Sequence, residues 1–69
     1  MAIFMLRDPN GHIRTREGRS AKGTLNAYLD ELEAKKKPVC PGDYDLQRAE
    51  RRGDGRLKGD GEWETFRVK

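Results

Sequence analysis

The chain contains 69 residues, of which 33% are hydrophobic and 39% are charged, and its formal net charge is +3. A chain of this length holds one small domain and buries only about 60% of the surface that its unfolded form exposes. These numbers exclude a second domain within the 69 residues and leave little room for a large catalytic cleft.

Residues 1–16 are predicted to form a β-hairpin. Strand-forming residues 3–7 are followed by Asp8-Pro9-Asn10-Gly11, after which an extended pattern resumes at His12. Aspartate and proline suit the first two positions of a type I turn, and glycine supplies the left-handed residue of a bulge behind it. On this prediction three apolar side chains share one face of the hairpin, namely Phe4, Leu6 and Ile13.

Residues 20–37 are predicted to form a helix. Apolar residues recur there at spacings of three and four, which places them on one side: Ala21, Leu25, Tyr28, Leu29 and Leu32. Ser20 is the expected N-cap. The run Lys35–Lys37 is expected in the last turn, where cations complement the helix dipole, and Pro38 ends the helix.

Residues 43–69 are predicted to form a second hairpin. Tyr44, Leu46 and Arg48 alternate with polar residues as in a strand, although a second helix over 44–52 is an open alternative. Two Gly-Asp-Gly units predict a mobile loop over 52–61 without a packed element.

The last strand is predicted over residues 63–68. Aromatic and β-branched residues favour this conformation. Period-two alternation places Phe66 and Val68 on one face and Trp63 and Thr65 on the other.

Together these elements predict an α+β domain in which a small antiparallel sheet of ββαββ order packs on one helix. The expected core consists of the apolar residues that the predicted elements turn inward: Phe4, Leu6, Ile13, Leu25, Tyr28, Leu29, Leu32, Leu46, Phe66 and Val68.

Residues that carry chemistry are few. Cys40 is the only cysteine, which rules out an internal disulfide and a multi-cysteine zinc site and favours a cytoplasmic protein. Nucleophilic catalysis would require Cys40 beside the single histidine, His12, and their spacing does not predict this. The Gly-Asp-Gly units lack the ligand pattern of a calcium loop. The apolar residues 1–6 are too few for a signal-peptide core. We therefore expect no enzyme, no metal or other cofactor and no contact with a membrane.

Two groups of basic residues are candidate binding surfaces. The first lies around the predicted loop and has an aromatic residue beside it: Arg48, Arg51, Arg52, Arg56, Lys58 and Trp63. The second lies between the first hairpin and the helix: Arg14, Arg16, Arg19 and Lys22. Arginine forks bind phosphates and carboxylates. Ordinary solvated surface is the alternative for both groups.

No motif in the chain identifies a family. A very small, highly charged α+β chain without catalytic residues is similar in profile to the accessory and host-directed inhibitor proteins that bacteriophages encode. The resemblance implies a non-catalytic protein that binds a larger bacterial nucleic-acid-handling protein, such as RNA polymerase or a defence nuclease complex, and blocks its activity. The alternative is direct binding of nucleic acid through the arginine-rich loop.

Overall fold

The computed structural model describes residues 2–69, and it has the predicted α+β architecture, in which one additional short strand, β4, extends the predicted ββαββ order. The elements are β1 (Ala2–Arg7), β2 (Ile13–Gly18), α1 (Ala21–Ala34), β3 (Gly42–Arg51), β4 (Leu57–Gly59) and β5 (Glu64–Val68). All neighbouring strands are antiparallel, in the order β2-β1-β3. The short β4 and β5 both pair with the remaining edge of β3, and β5 corresponds to the strand predicted over residues 63–68.

The turn between β1 and β2 has the predicted type I geometry with a glycine bulge. The Gly11 N–H donates to the carbonyl of Asp8 (3.0 Å), and the Asp8 N–H donates to the carbonyl of His12 (3.0 Å). Gly11 has a φ of 88°, which an L side chain rarely adopts. The Asp8 carboxylate also accepts hydrogen bonds from the backbone N–H groups of Asn10 and His12.

The prediction that Ile13 shares a face with Phe4 and Leu6 is wrong. The bulge adds one residue to the turn, so Ile13 pairs with Arg7 and Arg14 pairs with Leu6. Because side chains alternate along a strand, this register turns Ile13 away from the helix. Its side chain is 57% exposed.

Helix α1 begins where the sequence predicts and ends earlier. The Ser20 hydroxyl accepts a hydrogen bond from the Gly23 N–H (3.1 Å), which confirms the N-cap. Lys36 adopts a left-handed φ of 55°. The Lys36 N–H bonds to the carbonyl of Glu33 and the Lys37 N–H to that of Leu32, a Schellman pattern. The lysine run therefore lies beyond the last turn, contrary to the prediction, because the backbone reverses at this point.

The core lies between α1 and the sheet. Its buried residues are Phe4, Leu6, Ala21, Leu25, Tyr28, Tyr44 and Leu46, with Ala2, Leu29, Leu32, Phe66 and Val68 partly buried against them. The expected core omitted Tyr44, which is 1% exposed. Its hydroxyl donates to the carbonyl of Cys40 (2.7 Å), which satisfies the polar end of the ring. Burial raises the pKa of this hydroxyl.

Residues 42–51 form a strand, so the alternative of a second helix is wrong. Leu46 pairs with both Leu6 and Glu64, which places it in the interior of the sheet. The expectation of no packed element over 52–61 is also wrong, because Leu57–Gly59 pairs with Ala49–Arg51. The glycine at 55 belongs to a turn of the same kind as the first: its N–H donates to the carbonyl of Arg52 (2.9 Å), and its φ is 85°.

Candidate binding surface at the basic end

The pairing register brings cations from both predicted groups to one end of the sheet. Ala2 lies opposite Gly18, and Ile3 lies opposite Ala49. Arg19, which follows Gly18, therefore lies at the same end as the β3–β4 hairpin. Lys22 and Arg48 line one groove there. We call this surface the basic end and define it by its cations: Arg19, Lys22, Arg48, Arg51, Arg52, Arg56 and Lys58.

The side chains of the basic end differ from the other arginines in their ion pairing. Elsewhere each arginine contacts a carboxylate: Arg7 with Asp45 (2.8 Å), Arg14 with Asp8 (3.8 Å), Arg16 with Glu31 (3.0 Å) and Arg67 with Asp43 (3.3 Å). Within residues 2–69, no cation of the basic end forms such a pair. These charges are therefore free to meet carboxylates or phosphates of another molecule.

The β3–β4 hairpin holds its cations in three directions. The register places Arg48 and Lys58 on the helix side of the sheet and Arg51 on the opposite face. Arg52 and Arg56 flank the turn, and the Arg52 N–H donates to the Arg56 carbonyl (2.7 Å). Asp54 lies among them, with its carboxylate accepting a hydrogen bond from the Arg56 N–H (3.0 Å). A hydrogen-bonded ribbon thus presents the cations, rather than an unstructured loop.

Two candidate residues of the second group contact the helix. The Arg14 Nε donates to the Tyr28 hydroxyl (3.0 Å), and the Arg16 guanidinium donates to the Glu31 carboxylate (3.0 Å). The hydrogen bond from Arg16 is the main reason that the pKa of Glu31 is lowered. Arg14 and Arg16 therefore fix β2 to α1, and of this group Arg19 and Lys22 belong to the basic end.

Trp63 lies away from the arginines with which the sequence groups it. The guanidinium carbon of Arg7 lies 4.4 Å from the centre of the indole ring, a cation–π contact. Arg7 also binds Asp45, which accepts a hydrogen bond from the Thr65 hydroxyl (2.6 Å). The hydrogen bonds from Thr65 and then Arg7 hold the pKa of Asp45 below its usual value.

This cluster predicts a pH-dependent stability. Because the folded-state pKa of Asp45 is depressed, its ionised form stabilises the fold above the unfolded-state pKa of about 3.9. That contribution disappears as the pH falls through the folded-state pKa. The Asp45→Asn variant should therefore be less stable than the parent chain at pH 7, and the difference should shrink as the pH falls below the unfolded-state pKa of about 3.9.

Urea unfolding of both chains at several pH values measures the difference. Asp30→Asn is the matched control, since Asp30 is exposed on α1 and forms no ion pair within residues 2–69. A destabilisation by Asp45→Asn that stays constant over the whole pH range would contradict the argument.

A groove of about 590 Å³ lies between the N-terminus of α1 and the segment that joins β4 to β5. Its floor is formed by Phe4, Leu46 and Phe66. Lys22 and Arg48 lie on its rim with three acidic residues, Asp60, Glu62 and Glu64. This groove has no local signal in the sequence, because it arises where the helix leaves the β5 side of the sheet uncovered.

The structure brings His12 and Cys40 to one depression of about 230 Å³. The Cys40 sulfur accepts a hydrogen bond from the Asn10 side chain (3.5 Å), and His12 Nδ1 lies 3.5 Å from an Asp8 carboxylate oxygen. Within residues 2–69 no hydrogen bond joins His12 to Cys40. Among residues 2–69 no group of three or more His, Cys, Asp or Glu side chains is arranged to hold a metal ion.

The described residues contain no helix with the length and apolar character that crossing a bilayer requires. No protein-family model, curated protein or solved structure matches the chain.

Proposed function

We propose that the chain is a small non-catalytic binding protein whose basic end docks on an acidic surface of a larger protein that handles nucleic acid, and thereby blocks that protein. RNA polymerase and a defence nuclease complex are candidate targets, and the chain resembles bacteriophage host-directed inhibitors in its small size and high charge density. The observation that carries the proposal is the contrast in ion pairing among the arginines: Arg7, Arg14, Arg16 and Arg67 are paired, and within residues 2–69 the arginines of the basic end are not.

The geometry supports docking because the backbone that carries the hairpin cations is already ordered in the free protein. Both ends of the turn at 52–56 are fixed by backbone hydrogen bonds, so little ordering of the backbone opposes binding. Clustered positive charge accelerates association with an acidic surface, and guanidinium groups bind carboxylates in a fixed fork geometry.

Direct binding of nucleic acid is the second candidate, and the shape of the hairpin favours it. A two-stranded ribbon fits the major groove of B-form DNA, and Arg52 and Arg56 stand at the tip of such a ribbon. Phosphate contacts by these side chains would give binding that weakens steeply with salt.

The proposal predicts that the hairpin cations serve binding and not folding. A triple variant, Arg52→Gln, Arg56→Gln and Lys58→Gln, should keep the melting temperature close to that of the parent chain, because exposed substitutions usually change stability by under about 0.5 kcal/mol. It should lose the partner, with the association rate falling first. Interferometry on the captured partner measures both rates.

The matched control removes the same charge from the other end of the sheet: Lys35→Gln, Lys36→Gln and Lys37→Gln. This control should bind as the parent chain does. Equal binding by both triple variants would show that net charge, and not the hairpin, determines affinity.

The two candidates separate in a pull-down from bacterial lysate with and without nuclease. A protein that stays bound after nuclease treatment, and is lost with the hairpin variant, supports the protein target. Loss of all captured material on nuclease treatment, with a slope of about −0.9 in log affinity against log salt per neutralised phosphate, supports nucleic acid. Capture that the hairpin variant leaves unchanged would contradict both.

A further inference from the structure

The face of the sheet opposite α1 is not covered by any element among residues 2–69. We call it the open face. It carries apolar side chains from three strands and the β4–β5 connection, namely Ile3, Met5, Ile13, Leu57 and Trp63, whereas Ala49 on the same face is buried among its neighbours. Ile13 is the most exposed of the large ones. A sheet face of this composition is typical of a surface that another layer covers.

The charges of the open face cancel. Arg7 is paired with Asp45, and Arg67 is paired with Asp43. The remaining two, Glu17 and Arg51, line one depression together with Ile3 and Leu57. Since the chain as a whole carries +3, its excess charge lies elsewhere. The open face is neutral overall, carries charges of both signs and contains an apolar strip. Such a face fits a partner surface of the same composition better than it fits a polyanion.

The strand register places opposite charges of the open face at equal distances from the middle of β3. Along β3 the side chains on this face are Asp43, Asp45, Gln47, Ala49 and Arg51, so Gln47 lies midway between an acid and a base. Met5 pairs with Gln47. A two-fold axis that crosses the strands at this pair stacks Met5 on Met5 of a second copy. The same axis places Arg51 over Asp43 of that copy, and the contact occurs twice.

We propose that the open face binds a second copy of this chain, giving a symmetric dimer of two sheets packed face to face with the helices outside. The contact area fits a reversible dimer. The contact is four strand positions wide, at about 4.8 Å each, and about eight residues long. These dimensions give roughly 500 Å² per copy, which is near the lower limit for specific interfaces. Of the basic end only Arg51 lies in this interface, and the tip of the β3–β4 hairpin stays outside it, so the dimer can be tested separately from the proposed function.

Sedimentation equilibrium between about 5 and 500 μM tests the dimer, because a contact of this size is expected to dissociate in the micromolar range. The mass should rise with concentration from 7.9 kDa towards twice that value. Arg51→Asp and Asp43→Arg should each weaken association tenfold or more, since like charges then face each other. The double variant Arg51→Asp with Asp43→Arg should restore it. Arg52→Asp makes the same charge change at the hairpin tip and should have no effect.

A second variant addresses the apolar centre. Met5→Lys places two ammonium groups against each other on the axis and should abolish the dimer. Circular dichroism melts establish that each variant is folded. A mass that stays at the monomer value over the whole range, or an association that the charge exchange fails to restore, would overturn the proposal. A dimer unaffected by both single charge reversals would place the contact on another surface and overturn it as well.

Discussion

Leu6→Ala is expected to lower the free energy of unfolding by about 2–5 kcal/mol, a large part of the 5–15 kcal/mol that a domain of ordinary stability possesses. Leu6 is 0% exposed and lies on the central part of the sheet, paired with Arg14 on one side and Leu46 on the other. With one helix on one face of the sheet, few neighbouring side chains can move in to fill the space that the substitution leaves.

Urea unfolding followed by circular dichroism measures this loss as a lower midpoint with an unchanged slope. Leu29→Ala is the matched comparison, because the sequence assigns both leucines to the core and the structure buries Leu29 only in part. The midpoint should therefore fall less for Leu29 than for Leu6. Equal shifts would mean that the helix presents a different face to the sheet from the one described.

Much of the fold was predictable because its signals are local. The turn at Asp8–Gly11 and the N-cap at Ser20 depend on side chains within a few residues of the backbone groups that they bind. Ile13 was misplaced because its apolar character favours the core, whereas the register set by the predicted bulge pairs it with Arg7 and turns it to the other face. Residues Leu57–Gly59 were missed because glycine discourages a strand locally, whereas pairing with Ala49–Arg51 stabilises one there.

The binding surface was predictable only in composition. The basic residues of the hairpin are visible as a run in the sequence, but the ion pairs that remove other arginines from the candidate set are long-range. Arg16, one of the candidates, pairs with Glu31 at a separation of 15 residues, and no periodicity relates them. The approach of Arg19 to the hairpin likewise follows from strand register, which brings Gly18, Ala2 and the end of β3 into one row.

Gly18→Ala is the second substitution with a large expected effect. Gly18 ends β2 where α1 passes closest to the sheet, and a methyl group there would overlap the Thr24 hydroxyl and lie 3.0 Å from Thr24 Cβ. Thr24 is 1% exposed and belongs to the helix, so neither side can yield without moving an element. Overpacking of this kind costs about 1–3 kcal/mol, and here it acts on the contact between β2 and α1.

Gly53→Ala is the matched control, because a methyl group at Gly53 meets no atom within 4 Å. It should leave the urea midpoint nearly unchanged. The double variant Gly18→Ala with Thr24→Ala should recover part of the loss, since it removes the overlapping hydroxyl, which has no hydrogen-bond partner within residues 2–69. If Gly18→Ala is as stable as the parent chain, the helix does not approach β2 at this point, and the close contact that fixes the first turn of α1 against the sheet is absent.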